Sequence, residues 1–150
     1  MAPHCQICGR MIKANTGTIA HHGYKRPGDG WQTASCFGAK FRPYEVACDA
    51  LPRAIELAEA FKARAELALA TMQSSPPAEL KYTVDAWGKL ATVTRPDGFN
   101  PASPTIERHR RGSYESVYRN AIWKLQGDIQ GVVADLEYLR KRLADWKVAE

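Results

Sequence analysis

The chain has 150 residues, 45% of them hydrophobic, and a formal net charge of +5. That apolar content excludes wholesale disorder, and no apolar run is long enough to span a bilayer as a helix. With no apolar signal-peptide core at the N-terminus, the expectation is a soluble cytoplasmic protein with no membrane partner. The positive charge is unevenly placed: residues 1–50 hold six Lys/Arg against three Asp/Glu and residues 76–112 hold six against four, while the other stretches balance. Such basic regions suit a nucleic-acid backbone or an acidic protein surface.

The chain opens on Cys5-Gln6-Ile7-Cys8-Gly9, in which a tight turn points both sulfurs into one cavity and Gly9 supplies a positive φ. Next come His21 and His22, then Cys36. Close cysteine spacing in a chain without an export signal favours metal over disulfides. Cys5, Cys8, one histidine and Cys36 make a closed tetrahedral Zn2+ set. Neighbours on a strand face opposite ways, so only one histidine reaches the ion. His22, nearer the turn, is preferred; His21 and Cys48 are the alternates. Cys48 also reads as a small buried hydrophobe.

Residues 18–24 and 31–35 are β-prone and flank a Lys-Arg-Pro-Gly-Asp-Gly turn, which predicts a hairpin delivering Cys36 to a short helical turn over residues 36–41. A knuckle, a hairpin and a ligand at a helical start together resemble the treble-clef zinc fingers, which implies a structural zinc. The second Cys-x-x-Cys of that family is absent, because Phe37, Gly38 and Ala39 follow Cys36. The stretch His21-His22-Gly23-Tyr24-Lys25-Arg26-Pro27 is similar to the start of HNH-type nucleases, built on the same plan. That resemblance implies metal-dependent cleavage with His21 or His22 as general base. Gln32 and Lys40 stand where that family has metal-site residues, and no carboxylate cluster accompanies the histidines. As a whole the chain resembles small uncharacterised phage and prophage proteins, implying a regulator or inhibitor in a bacterial host cell.

Asp49 is positioned as an N-cap, with Pro52 in the first turn. Leu51, Ile55, Ala58, Ala65, Leu69 and Met72 then follow a four-three spacing, which predicts a helix over about residues 50–73. Lys62 interrupts the stripe, with neighbouring Phe61 as a substitute.

The insert, residues 74–112, predicts a second hairpin, with strands over 81–84 and 90–94. Trp87 and Phe99 are expected on exposed turns. With Lys25, Arg26 and the basic run Arg108, Arg110 and Arg111, Trp87 forms the candidate partner-binding set.

Ser113 caps the last predicted helix, over about residues 114–148. Tyr118, Ile122, Leu125, Ile129, Val132, Leu136, Leu139, Leu143 and Trp146 trace an unbroken coiled-coil seam. Its surplus length must pack on the head, the insert or a second copy, which makes a homodimer the competitor to a helical hairpin. Gly127 and Gly131 lie off that seam and are expected to admit close approach from the insert or a partner.

The resulting expectation is an α+β, mainly α protein. A zinc-stapled head, residues 1–49, joins a long antiparallel coiled-coil hairpin, residues 50–150. The expected function is non-catalytic partner binding, with the HNH-like nuclease as alternative.

Overall fold

The computed structural model describes residues 3–26, 30, 32–102 and 112–147. The fold is mainly helical. Its elements run β1 (Ala14–Asn15), β2 (Thr18–Ile19), α1 (Ala50–Ser74), β3 (Glu79–Thr83), β4 (Leu90–Thr94) and α2 (Tyr114–Ala144). β1 pairs with β2 and β3 with β4, both antiparallel. Two compact units result: Met1–Lys62 with Gly131–Glu150, and Ala63–Gln130. Each helix therefore contributes to both units, and the head shares its unit with the first half of α1 and the last half of α2.

In the first unit, β1 and β2 are joined by Thr16 and Gly17, whose φ angles of 52° and 83° are both left-handed. Two successive positive φ values give a turn matching strand twist, so Ala14 pairs with Ile19 and Asn15 with Thr18. The hairpin expected over residues 18–24 and 31–35 is not a continuous ladder among the described residues. It is reduced to a bridge between Lys25 and Gln32 and two bonds, Thr33 N to Tyr24 O and Cys36 N to His22 O, each 2.8 Å. β2 instead bonds on its far side to Lys40 and Phe41. Residues 36–41 form turns rather than a helix, because Lys40 takes a left-handed φ of 70° that a helix cannot continue through.

The core of this unit unites Cys5, Ile7, Cys8, Ile19 and Cys36 with Ala50, Leu51 and Ala54 of α1 and Leu139 of α2. The first amide of α1 is capped by Gln6 rather than by the expected Asp49, whose carboxylate accepts from Gln6 and Arg42. The Gln6 side chain is fully buried; its Oε1 accepts from Ala50 N at 2.8 Å while its Nε2 donates to Asp49 Oδ1 and Arg42 O, both at 2.9 Å. A middle residue of the knuckle thus satisfies a donor at the helix start. Arg142 of α2 clamps the same loop, with Nε donating to Gln6 O at 2.9 Å and a terminal amine to Cys5 O at 3.2 Å. Its guanidinium lies 3.9 Å above the Tyr44 ring. α2 ends at Ala144, short of the end expected near residue 148: residues 145–147 leave the helix, and there Trp146 Nε1 donates to Tyr44 O at 2.7 Å.

The seam positions of this unit, Leu51, Ile55, Ala58, Val132, Leu136, Leu139 and Leu143, are buried or half-buried. Lys62 keeps its place in the stripe as a half-buried residue, while Phe61 is 42% exposed. A lysine stem is long enough to cover apolar surface, so no substitute is needed at this position.

In the second unit, β3 and β4 pair in register from Glu79↔Thr94 to Thr83↔Leu90. Leu80, Tyr82, Ala91 and Val93 form the half-buried face and the alternate residues are exposed. Phe99 is not an exposed turn residue. It packs edge-on against Tyr114 and Tyr118, with ring centroids 4.9 and 5.1 Å away, because the apolar surface at the start of α2 needs a cover. Tyr118 Oη donates to Met72 O at 2.9 Å, and Ser113 Oγ accepts from Ser116 N at 3.2 Å as the expected cap.

The two glycines of α2 part company. A Cβ at Gly131 would press on the Arg26 guanidinium, so this glycine admits a side chain of the head rather than the insert. Gly127 faces open space, and nothing in the structure explains it.

Candidate metal centre

Cys5, Cys8, His22 and Cys36 converge, and their ligand atoms all lie within 4.8 Å of one another. Cys5 Sγ is 3.8 Å from Cys36 Sγ, and Cys8 Sγ is 3.4 Å from His22 Nε2. A tetrahedral site with metal–sulfur bonds of about 2.3 Å has sulfur–sulfur edges of about 3.8 Å and sulfur–nitrogen edges of about 3.5 Å. Those two edges match a metal tetrahedron, and the cluster as a whole is close enough to hold an ion. The three cysteines are buried and His22 half-buried.

The backbone explains the convergence. Gly9, with φ of +68°, turns the knuckle so that its amide bonds to Cys5 O at 3.1 Å. Across the site, a Cβ on Gly38 would overlap Cys5 Sγ, so the loop after Cys36 passes the sulfur only as glycine. His22 Nδ1 donates to Ala20 O at 2.8 Å, which fixes the proton on Nδ1 and leaves the Nε2 lone pair facing the sulfurs.

The three thiols do not ionise alike. Hydrogen bonds from Cys36 and then Cys5, helped by the Arg10 amide and side chain, hold Cys8 far below the ordinary thiol range. Cys36 is pushed far up by its bonds to Cys5 and Cys8 and by burial. For Cys5 the bond to Cys36 pulls downward, but Cys8 and burial outweigh it and the net direction is up. Cysteine thiols bind a divalent cation as thiolates, so metal binding at this cluster would release their protons.

Of the alternates, His21 is exposed and Cys48 packs half-buried against the core; neither joins the cluster. Of the expected partner-binding residues, Lys25 is exposed. Arg26 is not free for a partner. It forms a two-pronged pair with Asp135, at 3.0 Å from Nε to Oδ1 and 3.0 Å from a terminal amine to Oδ2, and Tyr24 Oη donates to the same carboxylate at 2.8 Å. A guanidinium fork matched to a carboxylate over Gly131 is a tether between head and helix. Trp87 is 94% exposed at the β3–β4 turn, where Asp85 Oδ1 accepts from the amides of Trp87 and Lys89, each at 3.0 Å. Arg108, Arg110 and Arg111 lie outside the described residues.

Sequence reasoning missed Gln6, Arg10 and Arg142. Arg10 donates to Gly23 O, and Arg142 grips two knuckle carbonyls. No spacing announces them, because each acts through a backbone atom brought close only by the fold. Among the described residues, no helix is long and apolar enough to cross a membrane. Comparison with protein-family models, with curated proteins and with solved structures finds no match for this chain.

Proposed function

We propose that the chain is a non-catalytic zinc-binding module that acts by occupying a macromolecular partner. The observation that carries this reading is the convergence of Cys5, Cys8, His22 and Cys36, whose ligand atoms lie within 4.8 Å of one another. Three sulfurs and one imidazole are the donor chemistry of structural Zn2+, whereas a catalytic ion keeps a position for water or substrate. Bound there, zinc staples a treble-clef-like head, and α1 and α2 pair as an antiparallel coiled-coil hairpin. A nuclease needs a histidine free beside an open hard-cation site. With His22 turned to the sulfurs and no carboxylate in the cluster, the geometry favours the staple.

The partner in this reading is a nucleic acid. Trp87 offers a bare ring for base stacking, and Lys25, Lys89 and the run Arg108, Arg110 and Arg111 offer phosphate contacts. Fluorescence anisotropy with single-stranded DNA and RNA tests it. The expected result is affinity that falls steeply with salt and drops about ten-fold or more in Trp87→Ala. Absence of salt-sensitive binding, with a stoichiometric protein recovered from the native host instead, moves the module to the protein-directed role implied by its phage-like appearance. Metal analysis tests the premise: about one zinc per chain is expected, and its absence removes the reading.

A further inference from the structure

α2 carries a second face, on the far side from its seam. Asn120, Trp123, Gly127 and Gln130 follow a three-four-three spacing and so share one side of the helix. All four are exposed, Trp123 to 76%. A Cβ at Gly127 would meet nothing within 4 Å, so the glycine leaves a notch one turn from the ring. None of the four is charged, in a chain in which 25% of residues are. Exposed Arg119 and the Lys124–Asp128 pair, 2.7 Å from Nζ to Oδ2, rim the stripe. A bare ring in an uncharged strip with charge at its margin has the composition of a protein association surface, depleted in charge at its centre and enriched in aromatics. Glycine weakens a helix interior, so an ordinary solvent face gives no reason for one at 127.

The spacing also identifies the occupant, because three-four-three reads the same from either end. A second copy laid antiparallel, with the two-fold axis at the level of Leu125, sets Trp123 of each chain over Gly127 of the other and Asn120 of each beside Gln130 of the other. Both contacts are chemically matched. A large ring meets a position without a side chain, and two primary amides, each a donor and an acceptor, meet one another. A two-fold interface requires this reciprocity, each contact being made twice, whereas an unrelated partner gives no reason for it. We propose that this face of α2 is a self-association surface, on which two copies of the chain pack antiparallel with Trp123 of each seated at Gly127 of the other. The stripe covers about three helical turns, well below the area of a permanent dimer, so the association is weak and reversible. It uses none of the metal ligands and does not rest on the zinc reading.

Sedimentation equilibrium of the full chain over a range of concentrations tests this with two variants. Trp123→Ala removes the ring, and Gly127→Trp fills the notch. Each is expected to weaken self-association by about ten-fold or more, as loss of a central aromatic contact does. Mixing the two is the decisive arm: one chain then offers two small positions and the other two rings, so the mixed pair is complementary at both and should associate at near wild-type strength. Gly127→Ala separates fold from interface. Alanine is the better helix former, so the melting temperature in dilute solution should rise by about 2–4 °C while the dissociation constant also rises. A wild type that stays monomeric up to about 1 mM, a concentration at which even weak specific contacts form, overturns the proposal. So does a dimer that persists unchanged in Trp123→Ala, which places the contact on another surface, and so does a mixture of the two variants that stays monomeric. A monomeric wild type whose affinity for single-stranded DNA falls in Trp123→Ala assigns the ring to nucleic acid and overturns it as well.

Discussion

The two hairpins are held by different means. β1 and β2 have two residues each, and the loops around them are fixed by side chains reaching backbone atoms: Gln6 to Ala50 N, Arg10 to Gly23 O, Arg142 to Cys5 O and Gln6 O, His22 to Ala20 O. β3 and β4 have five residues each, and a regular ladder supplies their backbone partners. Where chain segments are too short for ladders, every backbone group needs an individual partner, and the ligand cluster sits among such segments. Where the ladder is regular, the side chains are left free, which is how Trp87 stands bare at the turn. Precision and display are thus carried by different parts of one small protein.

The sharpest way to break this contrast is to remove the zinc proposed for the cluster. Chelation, or Cys36→Ala, is expected to unfold the loops of residues 3–48 outright, since a structural zinc contributes on the order of 10 kcal/mol to small metal-stapled folds. Backbone amide signals of β3 and β4 should persist. Retention of dispersed signals for Ile7 and Ile19 in the metal-free protein would show that the loops stand without an ion.

Gln6→Ala is the next largest effect. It strips the donor or acceptor from Ala50 N, Arg42 O and the Asp49 carboxylate, and should cost about 2–3 kcal/mol in a denaturant titration. A loss below about 0.5 kcal/mol, the range of ordinary surface changes, would mean water replaces the amide.

Phe99→Ala sharpens the contrast from the other side. Opening the Tyr114 and Tyr118 edges should cost about 2 kcal/mol while leaving zinc content unchanged. Loss of zinc in this variant would refute the separation of roles.

Smallest is Tyr24→Phe, at about 1 kcal/mol. Burial, and then the bond to Asp135, push the Tyr24 hydroxyl well above the ordinary phenol range. A group with a raised folded pKa contributes fully below its unfolded value, near pH 10, and loses that contribution as pH rises through the folded value. The wild type should therefore lose stability in that alkaline window relative to Tyr24→Phe. Parallel alkaline profiles would sink the assignment.

The cysteine spacing singled out the three sulfurs that cluster, strand alternation limited the histidines to one, and nearness to the turn pointed to His22, because these signals are local. The four-three stripe located both helices for the same reason, since burial of one face repeats along the chain. The Thr16-Gly17 turn is hard to read from sequence: threonine rarely takes a left-handed φ, so only the glycine hints at it. Arg26 read as a surface charge because Asp135, 109 residues away, is adjacent only in the fold. Phe99 read as exposed because its neighbours Pro96, Asp97 and Gly98 are turn formers, and turns ordinarily face water. Arg10 had no legible role, since a lone basic residue after a knuckle looks like any solvated charge.

The position of Gln6 inside the knuckle bears on the order of synthesis. The acceptor for the first amide of α1 lies 44 residues upstream of that amide, so it has left the ribosome before the helix it caps is made. Starting a helix is its costly step, because several dihedrals must be fixed for one bond. In the proposed zinc-bound form, a knuckle already closed on its ion would offer the emerging Ala50 a waiting partner, and metal capture would time the start of the long helix.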